Sequence, residues 1–338
     1  EYALATPAVN YVDANRGRWT ANVNTPAGQA DFAVSLDALS DELPNCEAVS
    51  LIVSWFGDDL RCSECTLRPK VERKDATGEN MVWTSGGIGR EAALQVPMDG
   101  ERPLYGGTPA DLSVIEAIAG LKNAGQSVLF YPFVLMDQVE GNTLSDPYSD
   151  AETQAYLPWR GRITLSKAPG VEGSPDGTAA AAAEVDAFFG TVRATDFSAT
   201  AMPNEAGYYT GPADEWSFSR FILHYAALCR AAGGVEAFCI GSEMRGMTQL
   251  RAEANRFVFV ERLIALAAEV RAILPNAKIS YAADWSEYFG YQPQDGTGDR
   301  YFHLDPLWAD ENIDFVAIDN YMPLSDWRDS DDHLDAVW

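Results

Sequence analysis

A repeated alternation of short apolar runs with amphipathic helical segments constrains the fold more than any other feature of this sequence. The apolar runs lie at 49–53, 81–83, 128–134, 235–240, 279–282 and 313–318, and the second is the weakest. The clearest helical segments lie at 108–125, 218–232 and 260–274. Strands that are apolar on both faces and alternate with amphipathic helices are typical of a parallel sheet whose faces are both covered.

This rhythm favours a (β/α)8 barrel of the TIM type within the α/β class. The runs that start at Val235, Ile279 and Ile313 follow one another at distances that suit successive β/α units. A closed barrel needs eight strands, so about six visible strands predict an incomplete barrel whose remaining strands lie beyond Trp338. A doubly wound open sheet is the alternative, but the Gly-x-Gly-x-x-Gly turn of nucleotide-binding sheets does not follow the first run.

Two regions interrupt the rhythm. Residues 1–45 are polar and rich in turn-forming residues, and we interpret them as a lead-in segment to a barrel-like domain at 46–338. Residues 137–213 form a long insertion rich in Gly, Pro and Asp, with an Ala-rich helix at 178–192. Long loops inside a compact domain usually carry function. This one leaves the C-terminal end of a predicted strand, where barrels build their sites.

The charge balance argues against several classes of partner. The chain has 50 acidic and 24 basic residues, which gives a formal net charge of −26. Nucleic-acid affinity depends on Lys and Arg that neutralise phosphates, so we expect no direct nucleic-acid binding and no docking on anionic lipid. A spanning helix needs about 20 apolar residues, and the sequence predicts no membrane span.

Metal and cofactor motifs are weak in this sequence. Cys62 and Cys65 form the one close pair among five cysteines, and a zinc site, a local disulfide and plain thiols stay open as interpretations of it. The loop 295–299 resembles a calcium loop but lacks the acidic residue that closes an EF-hand. We therefore predict neither a metal nor a cofactor.

Carboxylates and flat aromatic rings follow the predicted strands, at positions that converge on one rim of a barrel. Sugar rings stack on Trp and Tyr, and carboxylates accept the protons of sugar hydroxyls, so the set predicts a saccharide site. The alternative is that barrels carry polar residues at their strand ends for structural reasons alone. The candidates are Trp55, Trp83, Asp137, Ser242, Glu243, Asp284, Trp285, Asp319 and Tyr321.

Glu243 is the sharpest catalytic candidate. It ends the run 235–240 after Gly241 and Ser242, and Gly241 permits a close turn that points Glu243 into the barrel mouth. A half-buried carboxylic acid beside aromatic rings has the raised pKa that a general acid needs. The alternative is a structural ion pair between Glu243 and Arg245 or Arg251.

Three segments together carry a resemblance to a known family. The segments 238–243, 279–285 and 313–324, with the insert Leu-Pro-Trp-Arg-Gly-Arg-Ile-Thr at 157–164, resemble the TIM-barrel-like domain of gene transfer agents. That domain belongs to the large baseplate protein sometimes called megatron, in particles like those of Rhodobacter. The resemblance covers roughly residues 45–338.

This resemblance implies a component of a phage-like tail tip or baseplate, assembled in the cytoplasm and released with the particle. It would bind or cleave cell-wall or capsular polysaccharide at the host envelope during DNA delivery, in contact with other baseplate or tail proteins. A catalytically inactive barrel that serves as a structural or glycan-docking module is the alternative.

The domain is also similar to retaining glycosidases, whose acid/base Glu ends the fourth barrel strand. By that resemblance Glu243 is the acid/base, and Asp319 and Tyr321 line the subsite near the nucleophile. The sequence departs from the pattern at Ser242, where those enzymes have Asn. Their nucleophile ends the seventh strand, which we expect beyond residue 338.

Overall fold

A computed structural model describes residues 1–3 and 7–321 of the 338-residue chain. The acidic run at 326–335, which the sequence predicts to be a solvated helix start, and the last residues of segment 313–324 lie outside the described residues. Within them, none of the helices has both the length and the apolar character needed to cross a membrane.

The described part of the chain combines helices with many short strands. The helices are α1 (Asp31–Glu42), α2 (Asp111–Asn123), α3 (Ala179–Phe189), α4 (Phe218–Ala231), α5 (Arg245–Thr248), α6 (Val258–Ile273), α7 (Trp285–Tyr288) and α8 (Asp305–Trp308). The strands are β1 (Asn10–Asp13), β2 (Arg18–Thr20), β3 (Ala48–Gly57), β4 (Leu67–Arg68), β5 (Lys70–Val71), β6 (Ala76–Glu79), β7 (Thr84–Ser85), β8 (Ile88–Gly89), β9 (Leu94–Gln95), β10 (Met98–Asp99), β11 (Arg102–Pro103), β12 (Ser127–Met136), β13 (Ala237–Ser242), β14 (Lys278–Asp284) and β15 (Ala317–Asp319).

The main sheet has the strand order β15-β14-β13-β12-β3-β4. Its first five strands in that order are mutually parallel, and the short β4 runs antiparallel to β3. This confirms a mixed α/β, TIM-barrel-like fold with a parallel sheet. The sheet does not close into a barrel within residues 1–3 and 7–321, since β15 and β4 form its two edges.

The strand predicted at 81–83 is wrong. β3 pairs directly with β12 along the whole length of both strands, so the segment between them contributes no strand to the parallel sheet. The apolar side chains of Met81 and Trp83 instead pack in a separate small core with Tyr2, Val9 and Tyr11. Counted from β3, the strand that leads to Glu243 is therefore the third parallel strand and not the fourth.

The first residues of the chain contribute to this small core. β1 pairs with β2 and with β6 in a three-stranded antiparallel sheet, while α1 buries none of its residues. Segment 1–45 thus contains both a packed part and a solvated helix. The domain boundary at residue 45 stays a prediction.

One face of the parallel sheet is covered by helices and holds the main core. Phe130, Phe238 and Tyr281 point to this face, where α2, α4 and α6 pack. On the opposite face the alternation of the strands places Tyr131, Cys239 and Ala282 in a small second cluster. In a barrel this opposite face is the interior, and its upper rim carries the candidate site.

Replacing Phe238 by Ala tests this core. The ring is fully buried and stacks on Phe130 at 5.8 Å between centroids, so its loss should lower the free energy of unfolding by about 3–5 kcal/mol. Chemical denaturation measures the change. Val82→Ala is the control, since Val82 is 70% exposed and its loss should cost less than about 0.5 kcal/mol. Equal losses in the two variants would contradict the placement of the core.

Candidate functional site

The C-terminal end of β13 is irregular. Cys239 pairs with Ser280 and Ser242 pairs with Ala282, so three steps along β13 match two steps along β14. This bulge keeps Ser242 on the interior face with Cys239, although an odd step along a regular strand would turn it away. Gly241, at φ +146°, makes the bulge possible, because a Cβ there would lie 2.9 Å from Cζ of Phe218.

Glu243 follows the bulge in a backbone conformation that side-chain-bearing residues seldom adopt. Its φ is +50°, and its N–H donates to the carbonyl oxygen of Ala282 at 2.8 Å. The residue is only 5% exposed. Positive φ at a non-glycine residue stores strain and is concentrated at functional sites, so the end of β13 is built to hold this carboxyl in one place.

The insertion supplies the partners of the Glu243 carboxylate. Trp159 donates from Nε1 to Oε2 of Glu243 at 2.8 Å, and Nη2 of Arg160 lies 3.0 Å from the same oxygen. The alternative of an ion pair with Arg245 or Arg251 is therefore wrong in its partner, since the ion pair forms with Arg160. Arg251 pairs instead with Asp176 and Asp295, and Arg245 is exposed.

Arg160 ties the insertion to the sheet. Its Nε donates to the carbonyl oxygen of Ser242 at 3.0 Å and to Oγ of Ser242 at 3.2 Å. Its guanidinium carbon lies 3.7 Å from the centroid of the Phe133 ring. Glycine is required at position 161, because a Cβ there would overlap the Trp159 ring. These contacts pack the insertion tightly against the end of β13.

Burial raises the pKa of Glu243, and the charge of Arg160 and the hydrogen bond from Trp159 oppose that rise. A second carboxylate, Asp319 at the end of β15, raises it further through its charge and a hydrogen bond with Glu243. Tyr321 is 69% exposed, and the charge of Glu243 raises the pKa of its hydroxyl. The structure thus brings Glu243, Asp319 and Tyr321 together, with Ser242 directly before Glu243.

Tyr131 completes the cluster from β12. Its hydroxyl donates to Oδ2 of Asp319, and burial and that carboxylate raise the pKa of Tyr131. The hydroxyl therefore stays protonated and fixes Asp319. The sequence hides Tyr131 inside an apolar run, and strand alternation is the signal that could have singled it out.

Other predicted site residues take structural places. Asp284 caps α7, with its Oδ2 accepting from the N–H of Ser286 at 2.9 Å, and Trp285 packs against Phe289. Asp137 pairs with Lys70, and burial raises the pKa of its carboxyl despite that pairing.

The two tryptophans predicted on the early strands do not reach the rim. Trp55 is fully buried among Trp216, Phe221 and His224 on the helix-covered face. Trp83 lies in the small core and donates to the carbonyl oxygen of Thr108. Both rings are buried, so neither has an open face for a sugar. The sequence could not show this, because core positions and rim positions look alike in continuous apolar runs.

A buried acid supports the backbone next to Glu243. Glu287 accepts from Oγ1 of Thr248 at 2.6 Å and from the hydroxyl of Tyr281 at 3.2 Å. That hydroxyl in turn accepts from the N–H of Met244 at 2.6 Å. Burial raises the pKa of Glu287 to about 7. The network fixes the residue that follows Glu243.

His, Cys, Asp and Glu are the usual metal-binding side chains, and they occur at many positions in the part of the chain that the structure describes. No group of three or more His, Cys, Asp or Glu side chains there is arranged to hold a metal ion. All five cysteines are unbridged, and Cys62 and Cys65 are buried.

Comparisons with known proteins bear on the region that contains the site. Residues 216–338 match the family model described as the GTA TIM-barrel-like domain, which supports the identification of this region as such a domain. The matched region includes Glu243, Asp319 and Tyr321. No curated protein matches the chain.

Solved structures with some similarity to the chain are glycosidases. Two structures of GH113 β-1,4-mannanase share 15% and 16% identity with it at TM-scores of 0.41 and 0.39, and the match covers 87% and 86% of this chain and 57% and 56% of theirs. The GH113 β-mannanase AaManA from Alicyclobacillus acidocaldarius, in complex with ManMIm, shares 16% identity at a TM-score of 0.34, with 75% of this chain and 49% of that chain covered. The chain thus spans about half the length of these mannanases.

Glu287 should make the stability of the fold depend on pH. Its pKa is about 7 in the folded chain and about 4.3 when exposed, so its contribution is full below pH 4.3 and is lost as the pH rises through 7. Glu287→Gln removes this titration. Relative to the original chain, the variant should gain about 3 kcal/mol in free energy of unfolding between pH 4.5 and pH 8.

Chemical denaturation at the two pH values measures the difference. The exposed Glu101 provides the control variant Glu101→Gln, whose difference from the original chain should stay within about 0.5 kcal/mol at both pH values. A Glu287→Gln difference that does not change with pH would show that Glu287 is not a buried acid of raised pKa.

Proposed function

We propose that this chain is a glycoside-hydrolase-like domain of a phage-tail-like particle, the gene transfer agent, and that it binds and cleaves a glycan of the cell envelope. Glu243 carries this proposal. It is a buried carboxyl of raised pKa at the C-terminal rim of a parallel sheet, held by Trp159 and Arg160 and facing Asp319. The family match of residues 216–338 supports the assignment to the particle.

Glu243 is suited to donate a proton to a glycosidic oxygen. Trp159 and Arg160 both bind Oε2, which leaves Oε1 to carry the proton. A general acid must be protonated at the working pH, and burial raises the pKa in that direction. After bond cleavage the same carboxylate can take a proton from the attacking water.

Asp319 acts on Glu243 in this scheme and does not attack the sugar. Its carboxylate raises the pKa of Glu243, which favours the protonated form that a general acid needs. Its closeness and the hydrogen bond from Tyr131 suit a group that keeps the proton on Glu243.

Two exposed rings beside Glu243 offer a surface for a sugar. Trp159 is 37% exposed although its Nε1 is fixed to Glu243, and Tyr321 is more exposed still. Aromatic side chains that are held at one edge and open on a face bind ligands with little loss of conformational entropy. We propose that a cell-wall or capsular polysaccharide lies across them.

The proposed setting is the baseplate or tail tip of the particle. There the domain would contact other tail proteins and meet the host envelope during DNA delivery. A non-catalytic docking barrel is the second candidate, and the ion pair between Arg160 and Glu243 favours it, because a neighbouring cation stabilises the deprotonated carboxylate.

Glu243→Gln separates the two candidates. If Glu243 is the acid/base, the variant should lose about 10²–10⁴-fold in hydrolysis of isolated envelope polysaccharide, measured as reducing ends released, with an unchanged melting temperature. Glu236→Gln is the matched control, because Glu236 is an exposed acid just before the opposite end of β13 and should keep full activity. Undiminished cleavage by Glu243→Gln removes Glu243 from this role. Binding without cleavage by the original chain supports the docking module.

Asp319→Asn should move the pH profile of hydrolysis. The carboxylate of Asp319 raises the pKa of Glu243, so its neutralisation should lower that pKa and shift the alkaline limb of kcat/KM to lower pH. Activity measured across the pH range tests this, with Asp99→Asn as a control on the exposed β10–β11 hairpin. An unmoved alkaline limb would mean that Asp319 does not act on the proton of Glu243.

A further inference from the structure

A second cleft of about 540 Å³ lies beside the Glu243 site at the same rim of the sheet. Three segments form it: the insertion, the turn that follows β13, and the loop that follows α7. The turn after β13 brings in Arg245, two positions beyond Glu243. The cleft thus shares with the candidate site the segment that follows β13 and the insertion, although Glu243 is not part of its lining.

The lining of the cleft has the chemistry of a saccharide site. Tyr148, Phe289 and Tyr291 supply aromatic rings, and Gln249 and Gln292 supply amides. Phe289 is 53% exposed, which leaves ring surface open to a ligand. Rings that accept the apolar face of a sugar, together with amides that accept and donate hydrogen bonds, are suited to a hydroxylated ring.

Two arginines lie near Tyr148 in this cleft: Arg245 is part of the lining, and Arg162 contacts the Tyr148 ring from outside it. The Arg162 guanidinium carbon lies 4.5 Å from the centroid of the Tyr148 ring, and Arg162 accepts a hydrogen bond from the Tyr148 hydroxyl through its own carbonyl oxygen. Both Arg162 and Arg245 are exposed. Among the described residues neither has an acidic partner at ion-pair distance, in a chain whose net charge is −26.

The acidic groups nearby are already engaged. Asp176 and Asp295 both pair with Arg251 at 2.9 Å. Asp146 accepts from the N–H of Tyr148 and from Oγ of Ser149, so its carboxylate is held within its own turn. Burial raises the pKa of Tyr148 to about 12, and the charge of Asp146 acts in the same direction, whereas the charges of Arg162 and Arg245 act to lower it.

We propose that this cleft binds a carboxylate-bearing sugar of an acidic glycan, with Arg162 and Arg245 pairing with the carboxylate. It rests on the proposed function, because a neighbouring unit of the same glycan lies at Glu243. Arginine binds carboxylates through two parallel N–H donors, so a uronic acid is selected over a neutral sugar of the same shape. The substrate class is therefore an acidic polysaccharide.

Binding of defined probes tests this proposal. The probes are hexasaccharides of mannuronate, galacturonate and hyaluronan, each with a carboxyl-reduced counterpart, titrated by calorimetry into the Glu243→Gln chain so that none is cleaved. At least one acidic probe should bind, and its reduced counterpart should bind at least tenfold more weakly. The further substitutions Arg162→Gln and Arg245→Gln, made together in the Glu243→Gln chain, should weaken binding of the acidic probe at least tenfold.

Arg102→Gln is the control, because Arg102 is an exposed arginine on the β10–β11 hairpin. It removes one positive charge outside the lining of the cleft and should change the affinity less than twofold, with melting temperatures checked for all variants. No binding of any acidic probe, equal binding of the reduced probes, or an equal loss in Arg102→Gln would overturn the proposal.

The failure of this proposal can be told from the failure of the proposed function. Cleavage of an envelope glycan that depends on Glu243 and is unaffected by the double arginine variant would overturn the acidic cleft and leave the hydrolase standing. Binding of an acidic probe that the original chain does not cleave would support the cleft and count against the hydrolase.

Discussion

The structure depends on one constraint at the end of β13, where a carboxylate is buried on a strained turn. A buried carboxylate without a partner costs several kcal/mol, and Glu243 cannot turn away because the bulge at Gly241 and its own positive φ fix its direction. The partners come from Trp159 and Arg160, which lie more than 80 residues earlier in the chain. The insertion is thus a required part of this strand end, and its contacts with Ser242 and Phe133 help to hold it there.

The apolar runs show which parts of the fold could be predicted from the sequence and which could not. Continuous apolar runs predict β3, β12, β13 and β14 because both faces of these strands are covered. The same continuity conceals which face each residue takes, so Trp55 is predicted at the rim and lies in the core. The run at 81–83 is apolar for another reason, a second small core, and periodicity alone cannot separate the two cases.

The site was only half visible for a similar reason. Glu243 follows a strand directly, so its position can be read locally. Its partner Arg160 is set by how the insertion folds back on the sheet, and nearer arginines in sequence, Arg245 and Arg251, are the natural but incorrect choice. Tyr131 and Glu287 act through side chains inside apolar or helical segments, where a single polar residue gives little signal before the strands are paired.

Opposing electrostatic effects meet at Glu243, and their balance decides what the rim can do. Burial and Asp319 favour the protonated carboxyl, while Arg160 and Trp159 favour the carboxylate. The first two are fixed by the sheet, whereas the last two belong to the insertion. In the function that we propose, a glycan at the rim would contact Trp159 and exclude water, which would strengthen the charge interactions inside. Since the charge of Arg160 lowers the pKa of Glu243 and Arg160 is also held by Ser242, the position of the insertion sets how far the protonated form of Glu243 is favoured.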